Sequence, residues 1–411
     1  MRISARTASS GSEPTLNSTG TSTDHKVKHT TEPYSRASTD RGTSGRVGKV
    51  DFLIFMKRHG NLYSKICSME NLSLAHINAK KGKSHYTEVK IVNQNPEKYL
   101  SRIRDNLLNQ TYKTSAYRTK IVREPKERLI YVLPYYPDRI VHHAIMQVIQ
   151  PIWDRVFIRD LYSSIPGKGL HKASYRLRGF LADRINTKYC LKFDVSKFYP
   201  SIRHDILYNL IQHKIKCKDT LWLLHEIIES LPGERNVPIG NYLSQYFGNI
   251  YLNEFDHWLK EEVGIRYYMR YCDDGVLLDR DKDYLNAVLR DITYYMKEKL
   301  DLSLNNKTQL FPVDSRGIDF LGYRTFRNYT LLRKSAARRF KSQIRLIESG
   351  RRGLDPETVV SSIMSHYGWI KHCDGWNLIN DQVLQNDRLR DIMDRNCKVL
   401  GCRNPLDRLT R

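Results

Sequence analysis

The chain reads as an α+β fold, and three stretches of its sequence lead there. Two apolar runs, Ile265 to Tyr271 and Val276 to Leu278, flank Cys272-Asp273-Asp274-Gly275, the pattern of a strand, a tight turn and a second strand. Ile140, Val141, Ala144, Ile145, Val148, Ile149, Ile152 and Trp153 recur at helical spacing, as a core-facing amphipathic helix requires. From about Leu332, Lys334, Arg338, Lys341 and Arg345 fall on one side of a helix, and Ala337, Phe340, Ile344 and Ile347 on another.

The remaining elements follow in order. Residues 1–48 are rich in Ser and Thr and lack periodicity, the composition of a disordered segment. Residues 1–55 are therefore expected to be a disordered or non-native extension, with native initiation at Met56. From Asn61 to Tyr112 the pattern is helical and basic, and from Thr119 to Leu133 it is extended. After the Ile140–Trp153 helix come a turn at Gly167-Lys168-Gly169, another helix, and the apolar strand Tyr189 to Phe193, which ends in Asp194. A central region runs to about Tyr323, and the C-terminal region is helical and basic.

Size and composition bound the function. A chain of 411 residues with 40% hydrophobic and 27% charged residues suits two or three globular domains. No apolar stretch approaches the length of a membrane span, so no membrane partner is expected. The formal net charge of +24 points to a polyanion, with nucleic acid as the default. Cys67, Cys190, Cys217, Cys272, Cys373, Cys397 and Cys402 are odd in number and form no CxxC pair. They read as reduced thiols of a cytoplasmic protein without a zinc site.

The chemistry is carried by carboxylates. Asp273 and Asp274 sit at a hairpin bend, and Asp194 sits at the end of another strand. Acidic side chains from separate elements that meet in space are suited to gripping Mg²⁺. Two such ions can clamp the attacking and leaving oxygens of a phosphoryl transfer.

Five motifs in order then resemble those of reverse transcriptases. Phe193-Asp194 with Phe198-Tyr199-Pro200-Ser201-Ile202 resembles the first catalytic motif. Pro238-Ile239-Gly240-Asn241-Tyr242-Leu243-Ser244-Gln245 resembles the substrate-pocket motif, and Tyr271-Cys272-Asp273-Asp274 the YxDD box. Lys307-Thr308 resembles the lysine motif, and Phe320-Leu321-Gly322-Tyr323 the primer-grip hairpin. The match covers roughly residues 56–380.

The resemblance implies a right-hand polymerase, with fingers over 56–185, a palm over 186–325 whose antiparallel sheet bears the YxDD hairpin, and the primer-grip end and helical thumb over 326–411. It implies an RNA-directed DNA polymerase. Asp194, Asp273 and Asp274 are its metal ligands for two Mg²⁺ ions, with Mn²⁺ as the alternative. Lys307 is implied as general acid to the pyrophosphate. Lys126, Arg128, Tyr199, Ile239, Gly240 and Gln245 are implied as the dNTP site. In it Arg128 meets phosphate oxygens, Tyr199 excludes a 2′-hydroxyl, and Gly240 lets backbone approach the nascent base pair. Ser244 is expected to face substrate with Gln245. Leu321, Gly322 and Tyr323 form the implied primer grip, and Lys334, Arg338, Lys341 and Arg345 meet duplex phosphates. Partners are then an RNA template, the primer or cDNA strand and dNTPs. Many reverse transcriptases carry Gln where this chain has Ile239, and loss of that amide is expected to lower fidelity.

Ile239-Gly240 with Ser244-Gln245, Gly317 to Tyr323, Leu331 to Ser335, and His366-Tyr367-Gly368-Trp369 are most similar to diversity-generating retroelement enzymes. These are bacterial or phage-encoded and work with a small basic accessory protein. Antiviral-defence reverse transcriptases, which copy a structured non-coding RNA, share the compact plan and stand as the alternative. A non-catalytic RNA-binding module is the second alternative.

Overall fold

The computed structural model describes residues 57–123, 127–350, 355–401, 404 and 406. The expectations for residues 1–55, Met56, Lys126 and Cys402 lie outside them.

A four-stranded antiparallel sheet organises the middle of the chain. Its strands are β3 (Tyr189–Asp194), β4 (Tyr267–Tyr271), β5 (Asp274–Asp279) and β6 (Gln309–Pro312), in the order β4-β5-β3-β6. These follow β1 (Arg118–Val122) and β2 (Arg128–Val132), an antiparallel hairpin. After them β7 (Ile318–Phe320), β8 (Tyr323–Thr325) and β9 (Thr330–Leu332) form a small antiparallel sheet.

Both faces of the four-stranded sheet are covered, which explains why its strands read as apolar runs. Side chains alternate between faces along a strand. Leu191, Phe193, Tyr268 and Leu277 join the larger core of helices, whereas Cys190, Met269, Val276 and Leu278 join a second cluster with Ala173, Leu177, Phe180, Ile318 and Phe320. The Lys282–Leu300 helix packs Leu285, Val288, Ile292, Met296 and Leu300 into the larger core. Its first turn is capped by the Asp281 carboxylate, which accepts from Asp283 N and Tyr284 N, the preferred arrangement at a helix start. The helix predicted over Ile140–Trp153 has those bounds. It is tied to the Met69–Ala79 helix by Asn71 Nδ2 donating to Ala144 O at 3.0 Å and by Gln147 Nε2 donating to Asn71 O at 3.0 Å.

The Lys334–Ser349 helix builds a third core. Phe340, Ile344 and Ile347 are buried against Val359, Ile363, Leu389 and Met393, while Lys334, Arg338, Lys341 and Arg345 are exposed. Ala337 is half-buried rather than part of that core. Cys67, Cys190, Cys217, Cys272 and Cys373 are free thiols. Among the described residues no helix is long and apolar enough to cross a membrane.

Candidate active site

The site is built where strand ends meet. In the sheet register Asp194 pairs with Asp274, and Asp274 pairs with Tyr271. Cys272 and Asp273 are thus the two central residues of a tight hairpin. Cys272 has φ +57°, and Asp273 is not among the positive-φ residues, the pattern of a type II′ turn, which favours Gly at its first central position. Behind the turn, Gly275 faces Phe193 in register, and a Cβ there would come 2.2 Å from the Phe193 ring. Only Gly leaves room for the Phe193 ring beneath the strand that carries Asp274.

Burial first, and then the negative charges of Asp194 and Asp274, push the Asp273 carboxyl up to about 7. Three carboxylates therefore share one field, a donor set that attracts a divalent cation. Asp194 Oδ2 accepts from Asn305 Nδ2 at 3.2 Å, and Asp274 Oδ1 lies 3.8 Å from Lys192 Nζ. Among the described residues no three His, Cys, Asp or Glu side chains stand ready-grouped to hold an ion. The chemistry of the donor set fits hard cations.

Asn305 and Lys192 are site residues that motif reading missed. Asn305 N also donates to Asp194 O at 2.7 Å, and Lys307 N donates to Asn305 Oδ1 at 3.1 Å. The loop bearing the exposed Lys307 is thereby pinned to the end of β3. Lys192 Nζ donates to Asp319 O at 2.9 Å, which links the catalytic sheet to β7. Asn305 lies two residues before Lys307 in the chain, and that nearness is its only signal in the sequence.

Backbone bonds tie the pocket motif and the residue before it to β2 and to Tyr199. Val237 N donates to Tyr199 O at 3.0 Å, and Tyr131 N donates to Ile239 O at 2.7 Å. The Tyr199 hydroxyl lies 3.4 Å from Cys272 Sγ, and its ring edge faces Gly248. Burial and the neighbouring Cys272 thiol raise the Tyr199 hydroxyl well above its ordinary pKa, so it stays neutral. Arg128 is exposed on β2. Gln245 is exposed, and its Oε1 accepts from Ser164 Oγ at 3.1 Å.

Gly240, at φ +124°, packs closely against protein: a Cβ there would lie 2.4 Å from Tyr131 O and 2.9 Å from Ile130 Cγ2. Two expectations are corrected here. Ser244 is buried, so of Ser244 and Gln245 only Gln245 faces outward. Tyr323 is wholly buried, its hydroxyl donating to Trp369 O at 2.9 Å and lying 3.0 Å from His171 Nδ1. It therefore packs the β7–β8 hairpin onto the Pro356–Ile370 helix, and the turn residues Leu321 and Gly322 are what that hairpin presents.

The Gly240 contact makes a prediction. Gly240→Ala forces the Tyr131 carbonyl and the β1–β2 hairpin outward, and overpacking of this kind costs about 1–3 kcal/mol. Thermal unfolding is expected to show a lower Tm for the variant, and an unchanged Tm would show that the hairpin yields freely.

A family model described as "Reverse transcriptase (RNA-dependent DNA polymerase)" matches residues 120–325. Protein YkfC of Escherichia coli (strain K12) is 25% identical, over 56% of this chain and 71% of that protein. A "Putative COX1/OXI3 intron 2 protein" of Saccharomyces cerevisiae is 20% identical, over 45% of this chain and 29% of that protein. Among solved structures, apo telomerase from Candida tropicalis aligns with TM-score 0.43 and 12% identity, over 75% of this chain and 66% of that one. Telomerase from Candida albicans, in complex with a TWJ fragment of telomeric RNA, aligns with TM-score 0.42 and 13% identity, over 73% of this chain and 63% of that one.

Proposed function

The chain belongs to the reverse transcriptase (RNA-dependent DNA polymerase) family, and from that premise we propose that it copies an RNA template into cDNA by two-metal catalysis. Its mixed helical and antiparallel-sheet fold is that of a right-hand polymerase. Fingers are assigned to 56–185, palm to 186–325, and primer-grip end and thumb to 326–411. The observation that carries the reading is the meeting of Asp194, Asp273 and Asp274 at neighbouring strand ends, where burial and then the other two charges raise Asp273 to about 7.

In this reading Asp194, Asp273 and Asp274 hold two divalent cations, Mg²⁺ or Mn²⁺, which when bound acidify the primer 3′-hydroxyl and neutralise the triphosphate. The other roles belong to the chain itself. Arg128 binds phosphate oxygens with its planar fork of donors. Tyr199, held against Gly248 and Cys272, presents a neutral ring edge that excludes a ribose 2′-hydroxyl. Lys307, carried on the loop pinned by Asn305, gives a proton to the departing pyrophosphate. Lys334, Arg338, Lys341 and Arg345 grip duplex phosphates without choosing sequence. Ile239 contributes its carbonyl to the hairpin and offers a branched alkyl group to the nascent pair, which supports loose pairing and a role in a diversity-generating retroelement.

The test is primer extension on RNA with dNTPs and Mg²⁺. The purified protein is expected to extend a DNA primer and to prefer dNTPs over rNTPs. No incorporation on any RNA template, including RNA that copurifies with the protein, would leave a binding module instead. Sequencing the copurified RNA and cDNA separates the settings: errors concentrated at adenines indicate diversification, and faithful copies of one structured RNA indicate defence.

A further inference from the structure

We propose that Ser163 and Arg270 are positioning residues that hold the Cys272 turn at both ends and thereby aim Asp273. The inference rests on the assignment of Asp273 to the reacting centre. Cys272 is a non-glycine residue at φ +57°, a conformation that persists only where its surroundings impose it. Two side chains impose it here. Cys272 N donates to Ser163 Oγ at 2.9 Å, and Arg270 Nη1 donates to Cys272 O at 2.6 Å. The two peptide groups flanking the strained residue are therefore each fixed by a buried side chain, one on either side.

Each clamp is itself oriented by a partner. Ser163 Oγ donates to Asn249 Oδ1 at 3.0 Å, and Asn249 Nδ2 returns a bond to Ser163 O at 2.9 Å. With its proton committed to Asn249, the Ser163 oxygen is left to accept from Cys272. Arg270 Nε donates to Asp256 Oδ1 at 2.7 Å and Nη2 to Asp256 Oδ2 at 2.5 Å, both side chains being fully buried. This bidentate pair fixes the guanidinium plane and leaves Nη1 for the turn. The segment carrying Ser163 is fastened to β4 by Arg270 N donating to Asp160 O and Tyr162 N donating to Arg270 O, each at 3.1 Å. None of these groups needs to touch substrate. They set where the Asp273 carboxylate stands.

Ser163→Ala tests the clamp. Removing the acceptor leaves a buried N–H unpaired, and the expected result is a fall in kcat of about 10–100-fold. KM for dNTP and affinity for an RNA–DNA duplex should stay within about twofold. Mn²⁺ binding to the full chain without nucleic acid, read by electron paramagnetic resonance, should weaken at least about fivefold, and Ser163→Thr should restore most of the lost kcat. If Ser163→Ala does not fold, Ser163→Cys carries the test, with a fall in kcat expected at an unchanged Tm. A kcat within about twofold of the parent, or unchanged Mn²⁺ binding, overturns the proposal. Failure of the unsubstituted protein to extend any primer would instead overturn the functional reading beneath it.

Discussion

Asp273→Asn is expected to abolish dNTP incorporation and, at the same time, to stabilise the metal-free protein above neutral pH. The two effects have one cause. Asp273 shares its surroundings with Asp194 and Asp274, and burial together with those charges raises its carboxyl from 3.8 to about 7. A carboxyl raised on folding holds its proton more tightly in the folded state than in the unfolded one. Its contribution to stability is present below the unfolded value and is lost as pH rises through the folded value. At pH 8 the metal-free protein therefore carries an unfavourable charge that Asn removes, whereas at pH 5 the folded carboxyl is neutral and only the unfolded one is charged. In chelator, the Tm of the variant should exceed the parent's at pH 8, and the difference should be smaller at pH 5. Mg²⁺ should raise the parent's Tm more than the variant's, because a cation relieves the same repulsion. Charge stabilisation worth several kcal/mol corresponds to a loss of about 10³-fold or more in single-turnover extension. Equal Tm values at both pH values, or activity retained within tenfold, would remove Asp273 from the centre of the site.

The parts of this site that were legible in the sequence are those written in consecutive residues. The Tyr271–Asp274 turn announces itself by alternation and by paired acids, and the Ile140–Trp153 helix by its period. Asp194 stands out because an apolar strand runs directly into it. What stayed hidden depends on contacts between distant segments. β6 is only four residues long, Gln309–Pro312, and its place is set by pairing with β3, so no local pattern marks it. Asn305 and Ser163 are ordinary polar residues until the fold brings them to Asp194 and Cys272. Gly240 was noticed as a glycine, but what it approaches, the Tyr131 carbonyl, lies in another element. Tyr323 carries a motif match and is nonetheless interior, since its hydroxyl finds partners on two helices.

Arg270→Met should be strongly destabilising, and it separates holding the fold from aiming the turn. The guanidinium and Asp256 are both fully buried, and Asp256 also accepts from the Tyr268 hydroxyl at 2.6 Å. Removing the cation leaves an uncompensated buried carboxylate, a loss of about 3–5 kcal/mol from a total of about 5–15 kcal/mol. Denaturant unfolding should register it as a lower midpoint at an unchanged slope. The pair need not add net stability, because two desolvated charges can cost as much as their attraction returns. Asp256→Asn combined with Arg270→Met removes both charges while the Asn oxygen still accepts from Tyr268, so much of the lost stability should return. Activity should not return with it, since Met offers nothing to Cys272 O. If kcat recovered together with stability in the double variant, Arg270 would be a structural residue only, and Ser163 alone would hold the turn.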